Sequence, residues 1–169
     1  MKVFGVTGWK NGGKTGLMER LVSEITGRGY SVSTIKHAHH AADVDHAGTD
    51  SYRHRQAGAG QVVLSSPDRW AIMTELRGAD EPSLGALLSR MDPVDLILIE
   101  GYKSEAHPKL EAHRGETGKD PLALQNDSIV AVASDTEVQV SLPTFDLNDT
   151  VSIADFILEA AGVTNQNAQ

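Results

Sequence analysis

Gly8-Trp9-Lys10-Asn11-Gly12-Gly13-Lys14-Thr15 fits the pattern G-x-x-x-x-G-K-[ST], the strongest signal in the sequence. The apolar residues 3–7 before it predict a strand, and residues 14–28 after it predict an amphipathic helix. In this order the backbone N–H groups of the loop and the positive end of the helix dipole surround an anion. The pattern therefore predicts phosphate binding. The alternative is a glycine-rich turn that only packs the helix on the sheet.

The residue types of the loop predict separate roles. Lys14 is expected to reach the β and γ phosphates of a nucleotide and to act in catalysis, and the Thr15 hydroxyl is expected to bind Mg²⁺. The remaining contacts to the phosphates are expected from the loop and the first helical turn. The predicted nucleotide-binding residues here are Gly8, Lys10, Asn11, Gly12, Gly13, Lys14, Thr15 and Gly16.

Asp95-Leu96-Ile97-Leu98-Ile99-Glu100-Gly101 predicts a buried strand that ends in a carboxylate. Ligands of open α/β sheets bind at the carboxyl ends of the strands, and a phosphate loop needs an acidic group near its magnesium ion. Glu100 is therefore predicted as a catalytic residue and a magnesium ligand. The alternative is a glutamate that caps a loop or pairs with Lys103.

The whole chain is compatible with one globular domain and excludes several classes of protein. Its 169 residues carry 15 Lys+Arg against 23 Asp+Glu, a net charge of −8 that argues against nucleic acid as a partner. There is no Cys, so disulfides and thiolate metal sites are excluded. The apolar runs are far shorter than the ~20 residues that cross a bilayer, and no signal-peptide core precedes the loop. A cytoplasmic protein with no membrane partner is expected.

Short β-branched runs alternate with helical stretches, which predicts a parallel α/β sheet. Further strands are predicted at 30–36, 94–99 and 129–133, further helices at 50–57, 82–91 and 150–161, and a hairpin from 61–64 and 70–73. Residues 102–124 are interpreted as irregular. The predicted fold class is α/β, a P-loop NTPase with a mostly parallel sheet flanked by helices and an added β-hairpin. One domain is predicted over 1–162, with a polar tail at 163–169.

The segment 37–50 holds four of the seven histidines together with several aspartates and has no apolar period. Its spacing matches no known zinc motif, although imidazole and carboxylate groups are metal ligands. The preferred interpretation is a switch or substrate loop. In it Asp45 and Asp50 reach the hydrated magnesium ion, and the substrate or partner is contacted by His37, His39, His40, Asp50 and Arg53.

Together these segments resemble the molybdopterin-guanine dinucleotide biosynthesis protein B family, MobB. The resemblance covers most of the chain. It rests on the phosphate loop, on the block from Ile35-Lys36-His37 to Ala57-Gly58-Ala59, and on Ile99-Glu100-Gly101-Tyr102-Lys103 followed by Pro108-Lys109. It implies a GTP-binding homodimer with slow hydrolysis that assists a partner guanylyltransferase in attaching GMP to molybdopterin. Thr49 departs from the family pattern, in which Lys precedes Asp50.

The guanine-reading motif N-K-x-D is absent, because Thr117-Gly118-Lys119-Asp120 has its Lys one place too late. Asp135 follows the predicted strand 129–133 and has the carboxylate needed to accept from guanine N1–H and N2–H₂. It is therefore a candidate for base recognition. A turn or helix cap is the alternative for this residue.

Four functions compete on the sequence. The first is a GTP-binding accessory protein in which Lys14, Thr15 and Glu100 hold Mg·GTP and the loop 37–50 meets molybdopterin or the partner. The second is a metallochaperone GTPase with a histidine cargo loop. The third is a small-molecule kinase, whose lid requires several arginines where only Arg53 and Arg55 form a close pair. The fourth is a non-enzymatic adaptor, which stays open because no arginine finger or attacking-water glutamine is identifiable. The isolated protein is expected to hydrolyse GTP slowly, below ~1 per second.

Overall fold

The computed structural model describes residues 1–38 and 44–164. The chain divides into two compact units, Met1–Ala38 together with Pro93–Gln169, and His39–Asp92. The single domain predicted over 1–162 stays a prediction. Residues 165–169 of the predicted tail lie outside the described residues. In chain order the strands are β1 (Lys2–Thr7), β2 (Val32–Lys36), β3 (Gln61–Ser65), β4 (Trp70–Thr74), β5 (Leu96–Glu100), β6 (Lys109–His113), β7 (Ile129–Ser134) and β8 (Thr144–Asp146). The helices are α1 (Lys14–Gly27), α2 (Asp50–Gln56), α3 (Leu84–Leu88) and α4 (Thr150–Ala161).

The described residues of the larger unit form a six-stranded sheet in the order β2-β5-β1-β6-β7-β8. All of its neighbouring strands pair in parallel. β1 therefore lies between β5 and β6, and the loop after β1 leaves the sheet at the carboxyl ends of both neighbours. The predicted parallel α/β fold is confirmed.

The core of the larger unit lies between the sheet and the helices α1 and α4, which pack against each other. The predicted apolar face of α1 is confirmed, because Leu17, Leu21 and Ile25 are fully buried. They meet Phe4 of β1 and Ile157 of α4 in one cluster. Complete burial of such side chains stabilises the fold by about 1.5–3 kcal/mol each. This packing holds the start of α1 at the carboxyl edge of the sheet.

The interpretation of residues 102–124 as irregular is wrong, because Lys109–His113 forms β6 and every residue of this strand is buried. β6 pairs with both β1 and β7. Its Lys109 Nζ donates to the carbonyl of His107 and, at 2.8 Å, to Ser128 Oγ. The carboxylate of Glu111 accepts from the backbone N–H groups of 122 and 123, both at 2.9 Å. Tertiary hydrogen bonds thus offset the cost of burying these polar side chains.

The smaller unit contains α2, α3 and an antiparallel hairpin of β3 and β4. The predicted hairpin is confirmed. The helix predicted over 82–91 is shorter, Leu84–Leu88, and begins where Ser83 Oγ accepts from Ala86 N at 3.2 Å. Thr49, the departure from the family pattern, caps α2 by accepting from Tyr52 N at 3.3 Å. None of the helices in the described part of the chain has the length and apolar character needed to span a bilayer.

Candidate phosphate-binding site

The glycine-rich loop connects β1 to α1 through backbone conformations that disfavour side chains. Gly8 and Gly13 have φ values of 145° and 92°, and Asn11 has φ 66°. A Cβ atom on Gly8 would lie 2.3 Å from the carbonyl oxygen of Ala112 in β6. Glycine is therefore required there both by conformation and by the close approach of β6.

The first turn of α1 has no capping side chain. Its N-cap residue is Gly13, and no acidic residue lies in the turn. In contrast, the N-cap residues of α2, α3 and α4 are Thr49, Ser83 and Asp149, whose side chains each accept a backbone N–H of the first turn. The uncapped N–H groups and the helix dipole of α1 thus point into the loop, which is the arrangement that binds anions.

Lys14 lies with its amine along the loop. Its Nζ donates to the carbonyl oxygens of Gly8 at 3.1 Å and Trp9 at 2.7 Å. Burial lowers the pKa of Lys14, and the nearby carboxylate of Glu100 opposes this shift. A partly desolvated ammonium interacts more strongly with an anion than one in bulk water. The position and environment of Lys14 suit a phosphate ligand.

Glu100 ends β5, as predicted, and its side chain is almost completely buried. Its Oε1 lies 3.3 Å from Nζ of Lys36, the last residue of β2. Glu100 therefore pairs with Lys36, and not with Lys103 as the alternative interpretation has it. Lys36 is mostly exposed, so this ion pair is partly screened by solvent.

These residues surround one cavity of about 510 Å³ at the carboxyl edge of the sheet. Its lining brings six of the eight predicted loop residues, all but Gly8 and Gly12, together with Glu100. It also contains two residues that sequence reasoning missed, Arg114 and Glu116. The lining residues are Lys10, Asn11, Gly13, Lys14, Thr15, Gly16, Glu100, Arg114 and Glu116. Hydroxyl and carboxylate oxygens are the ligands that Mg²⁺ prefers, so Thr15 and Glu100 fit a magnesium ion here.

A second cavity of about 450 Å³ adjoins the first and is lined by Trp9, Lys10, Asn11, Glu116, Thr117 and Lys119. Trp9 Nε1 donates to the carbonyl of Asp120 at 2.9 Å. The amines of Lys103 and Lys119 lie 4.8 and 5.8 Å from the centre of the Trp9 ring. Basic side chains are therefore clustered beside the loop, although the net charge of the chain is −8.

Asp135 follows β7, and its Oδ1 accepts from the backbone N–H of Gly115 at 2.9 Å. This bond ties the end of β7 to the segment after β6. Recognition of guanine by Asp135 stays a prediction.

The predicted substrate loop is described only in part, because His39 and His40 lie outside the described residues. His37 follows β2, and its ring stacks on Tyr102 at 4.5 Å. Within residues 1–38 and 44–164, no group of three or more His, Asp or Glu side chains is placed to hold a metal ion.

Asp45, Asp50 and Arg53 belong to the smaller unit. The Asp45 carboxylate accepts from Thr49 Oγ1, Ser51 Oγ and Arg55 Nε at 2.9, 3.0 and 3.4 Å. These bonds lower the pKa of Asp45 against the opposing effect of burial. Asp50 and Arg53 are exposed, and Asp50 Oδ1 lies 3.9 Å from Arg53 Nη1. The magnesium and partner roles of these three residues stay predictions.

A glycine-rich loop between the central strand and α1, in a parallel sheet flanked by helices, defines a P-loop NTPase-like fold. The family model described as molybdopterin guanine dinucleotide synthesis protein B, MobB, matches residues 3–135. The chain belongs to the MobB family.

Individual relatives agree with this assignment. The molybdopterin-guanine dinucleotide biosynthesis adapter protein of Escherichia coli is 42% identical over 154 residues, which are 89% of this chain and 88% of that protein. The protein of the same name from Haemophilus influenzae is 42% identical over 158 residues, 92% of this chain and 86% of that protein. The crystal structure of Bacillus subtilis MobB matches with a TM-score of 0.74 at 25% identity, covering 95% of this chain and 98% of that chain.

Proposed function

We propose that this protein is an adapter in molybdopterin-guanine dinucleotide biosynthesis that binds GTP with Mg²⁺ at the loop Gly8–Thr15. The adapter role is supported by the names of the two relatives at 42% identity. Binding of a nucleotide is supported by one observation above all. Lys14, Thr15 and Glu100 line one cavity at the uncapped start of α1.

In this proposal each residue of the site has its own task. The N–H groups of the loop and of the first turn of α1 hold the phosphates. The Lys14 amine exchanges the carbonyls of Gly8 and Trp9 for phosphate oxygens. Thr15 and Glu100 are the residues that would hold Mg²⁺, which neutralises phosphate charge when bound. The Lys36 amine would then leave the Glu100 carboxylate and turn to solvent, which its exposed side chain allows.

The proposed partners are GTP, molybdopterin or the molybdenum cofactor, and the guanylyltransferase of the same pathway, with a second copy of the chain as dimer partner. Hydrolysis is expected to be slow, because unassisted phosphate-loop GTPases turn over below ~1 per second. Bound nucleotide serves the partner more than its own turnover. Turnover of tens per second in the isolated protein would contradict this.

Calorimetric titration with GTP and with ATP in the presence of magnesium tests the proposal, with Lys14→Ala and the control Lys2→Ala. Lys2 begins β1 at the opposite end from the loop and is exposed. We expect GTP to bind more tightly than ATP, and Lys14→Ala to weaken GTP binding by about 100-fold, because charge-assisted phosphate contacts are lost. Lys2→Ala should bind as the unmodified protein does.

A preference for ATP, or none, would favour the kinase over the GTP-binding adapter. The kinase has less support in the structure, because Arg55 is engaged within its own unit by Glu75 at 2.7 Å and by Asp45. The metallochaperone would instead require tight nickel or zinc binding that is lost on substitution of His37, His39 and His40. No observation on the described residues favours it.

A further inference from the structure

Arg114 is the first residue after β6, the strand that the sequence did not reveal. Because β1 lies between β5 and β6, Glu100 at the end of β5 and Arg114 after the end of β6 stand on opposite sides of the phosphate loop. Both side chains line the same cavity as Lys14. A carboxylate on one side and a guanidinium on the other therefore face the same space.

The guanidinium of Arg114 packs against the start of α1. Its Nε lies 3.1 Å from the position that a Cβ atom on Gly13 would occupy. The Nε atom is buried and has no hydrogen-bond partner among the described residues. Buried N–H donors are nearly always paired in proteins, so this donor is held where an acceptor is expected. The adjacent N–H groups of α1 already favour an anion at that place.

Glu116 is the anion that Arg114 meets in the structure. Arg114 Nη1 and Glu116 Oε1 are 3.6 Å apart, and 42% and 67% of the two side chains are exposed. At this distance and exposure the pair is weak. A phosphate group offers a guanidinium two parallel hydrogen bonds and more charge than this carboxylate. Arg114 can therefore exchange Glu116 for a phosphate without leaving the cavity.

We propose that Arg114 binds a phosphate group of the nucleotide, on the side of the loop opposite Glu100, and that Glu116 competes with that phosphate. This inference rests on the proposed function, because it assigns a further residue to the same site. Arg114 supplies, from within the chain, a guanidinium that neutralises phosphate charge, as arginines do at phosphoryl groups. The ligand class is a nucleoside di- or triphosphate.

The test is calorimetric titration of the full chain with GTP and magnesium, on Arg114→Ala, Arg114→Lys, Glu116→Gln and the control Arg69→Ala. Arg69 is an exposed arginine in the turn of the hairpin, far along the chain from the loop. We expect Arg114→Ala to weaken GTP binding by about 10- to 100-fold and Arg114→Lys to recover part of that loss. Glu116→Gln should tighten binding several-fold, because it removes the competing charge, and have no effect in the Arg114→Ala background.

The outcomes separate this inference from the function on which it rests. If the unmodified protein does not bind GTP, the proposed function and the role of Arg114 both fail. If it binds and Arg114→Ala matches Arg69→Ala, only the role of Arg114 is overturned. Should Arg114→Ala melt early, the exposed substitution Glu116→Gln decides, since unchanged affinity in that variant would overturn the competition and a several-fold gain would support it.

Discussion

His107 is a partly buried histidine whose two ring nitrogens are both buried and have no hydrogen-bond partner among the described residues. It fits there because Gly5 of β1 has no side chain; a Cβ on Gly5 would lie 2.7 Å from Nε2. Burial, with a smaller effect from the Lys109 charge, lowers the pKa of His107 from 6.5 to about 4. The native ring is therefore neutral at pH 5 to 7, whereas the unfolded chain takes up a proton near pH 6.5.

The sign of the resulting pH dependence follows from proton linkage. Between pH 6.5 and 4 the unfolded state binds more protons at this residue, so the free energy of unfolding falls as the pH falls. We expect His107→Leu, which removes the titration, to lose less stability between pH 7 and pH 5 than the unmodified protein. Urea unfolding at the two pH values measures this. The exposed His54 provides the control His54→Gln, and equal pH dependence in all three proteins would contradict the prediction.

At the scale of elements, the buried Glu111 of β6 holds the 3-10 turn Leu122–Leu124. Its Oε1 and Oε2 accept from the N–H groups of Leu122 and Ala123, both at 2.9 Å. Glu111→Ala would leave two N–H groups without their charged acceptor. We expect it to lower the free energy of unfolding by about 3 kcal/mol.

Chemical denaturation measures the effect of Glu111→Ala, and amide hydrogen exchange at 122 and 123 localises it. Glu137→Ala is the matched control, because Glu137 is an exposed glutamate whose carboxylate accepts a long hydrogen bond from Gln139 Nε2, at 3.4 Å. It should change stability by less than about 0.5 kcal/mol. If both substitutions have equal effects, Glu111 does not hold the turn.

β6 also shows where sequence reasoning stops at this scale. The strands β1, β5 and β7 and the helices α1 and α4 were predicted because their buried residues are apolar and periodic. In β6 the apolar residues Leu110 and Ala112 alternate with Lys109, Glu111 and His113, which are polar and also buried. Glu111 accepts from the N–H groups of 122 and 123, and Lys109 donates to Ser128 Oγ. The sequence pattern does not reveal such distant partners. Leu110 and Ala112, spaced by two, were the one local signal of a strand.

The same limit applies to the site. Lys14, Thr15 and Glu100 were predicted to lie together because a loop pattern and a strand end position them, and they share one cavity in the structure. The position of Arg114 at the site could not be predicted, because its place beside the loop depends on the pairing of β6 with β1. A side chain of a strand end can be placed at this site from sequence only when the strand itself is recognised.

At the scale of the whole molecule, the hairpin of β3 and β4 carries large apolar residues that are exposed. Val63 and Ile72 are paired across the hairpin and are 61% and 51% exposed. Trp70, two residues before Ile72 and therefore on the same face, is 65% exposed. An exposed apolar hairpin is a surface for pairing with a second copy.

We therefore expect a homodimer that depends on this hairpin. Sedimentation velocity at micromolar concentration should find the unmodified protein dimeric and Val63→Lys largely monomeric, because a charge on the apolar face opposes its burial. Val151→Lys is the matched control, since Val151 of α4 is the same residue type at 53% exposure outside the hairpin, and it should remain dimeric. A monomer in the unmodified protein would contradict the dimer. Equal dissociation of Val63→Lys and Val151→Lys would instead show that the association does not depend specifically on the hairpin.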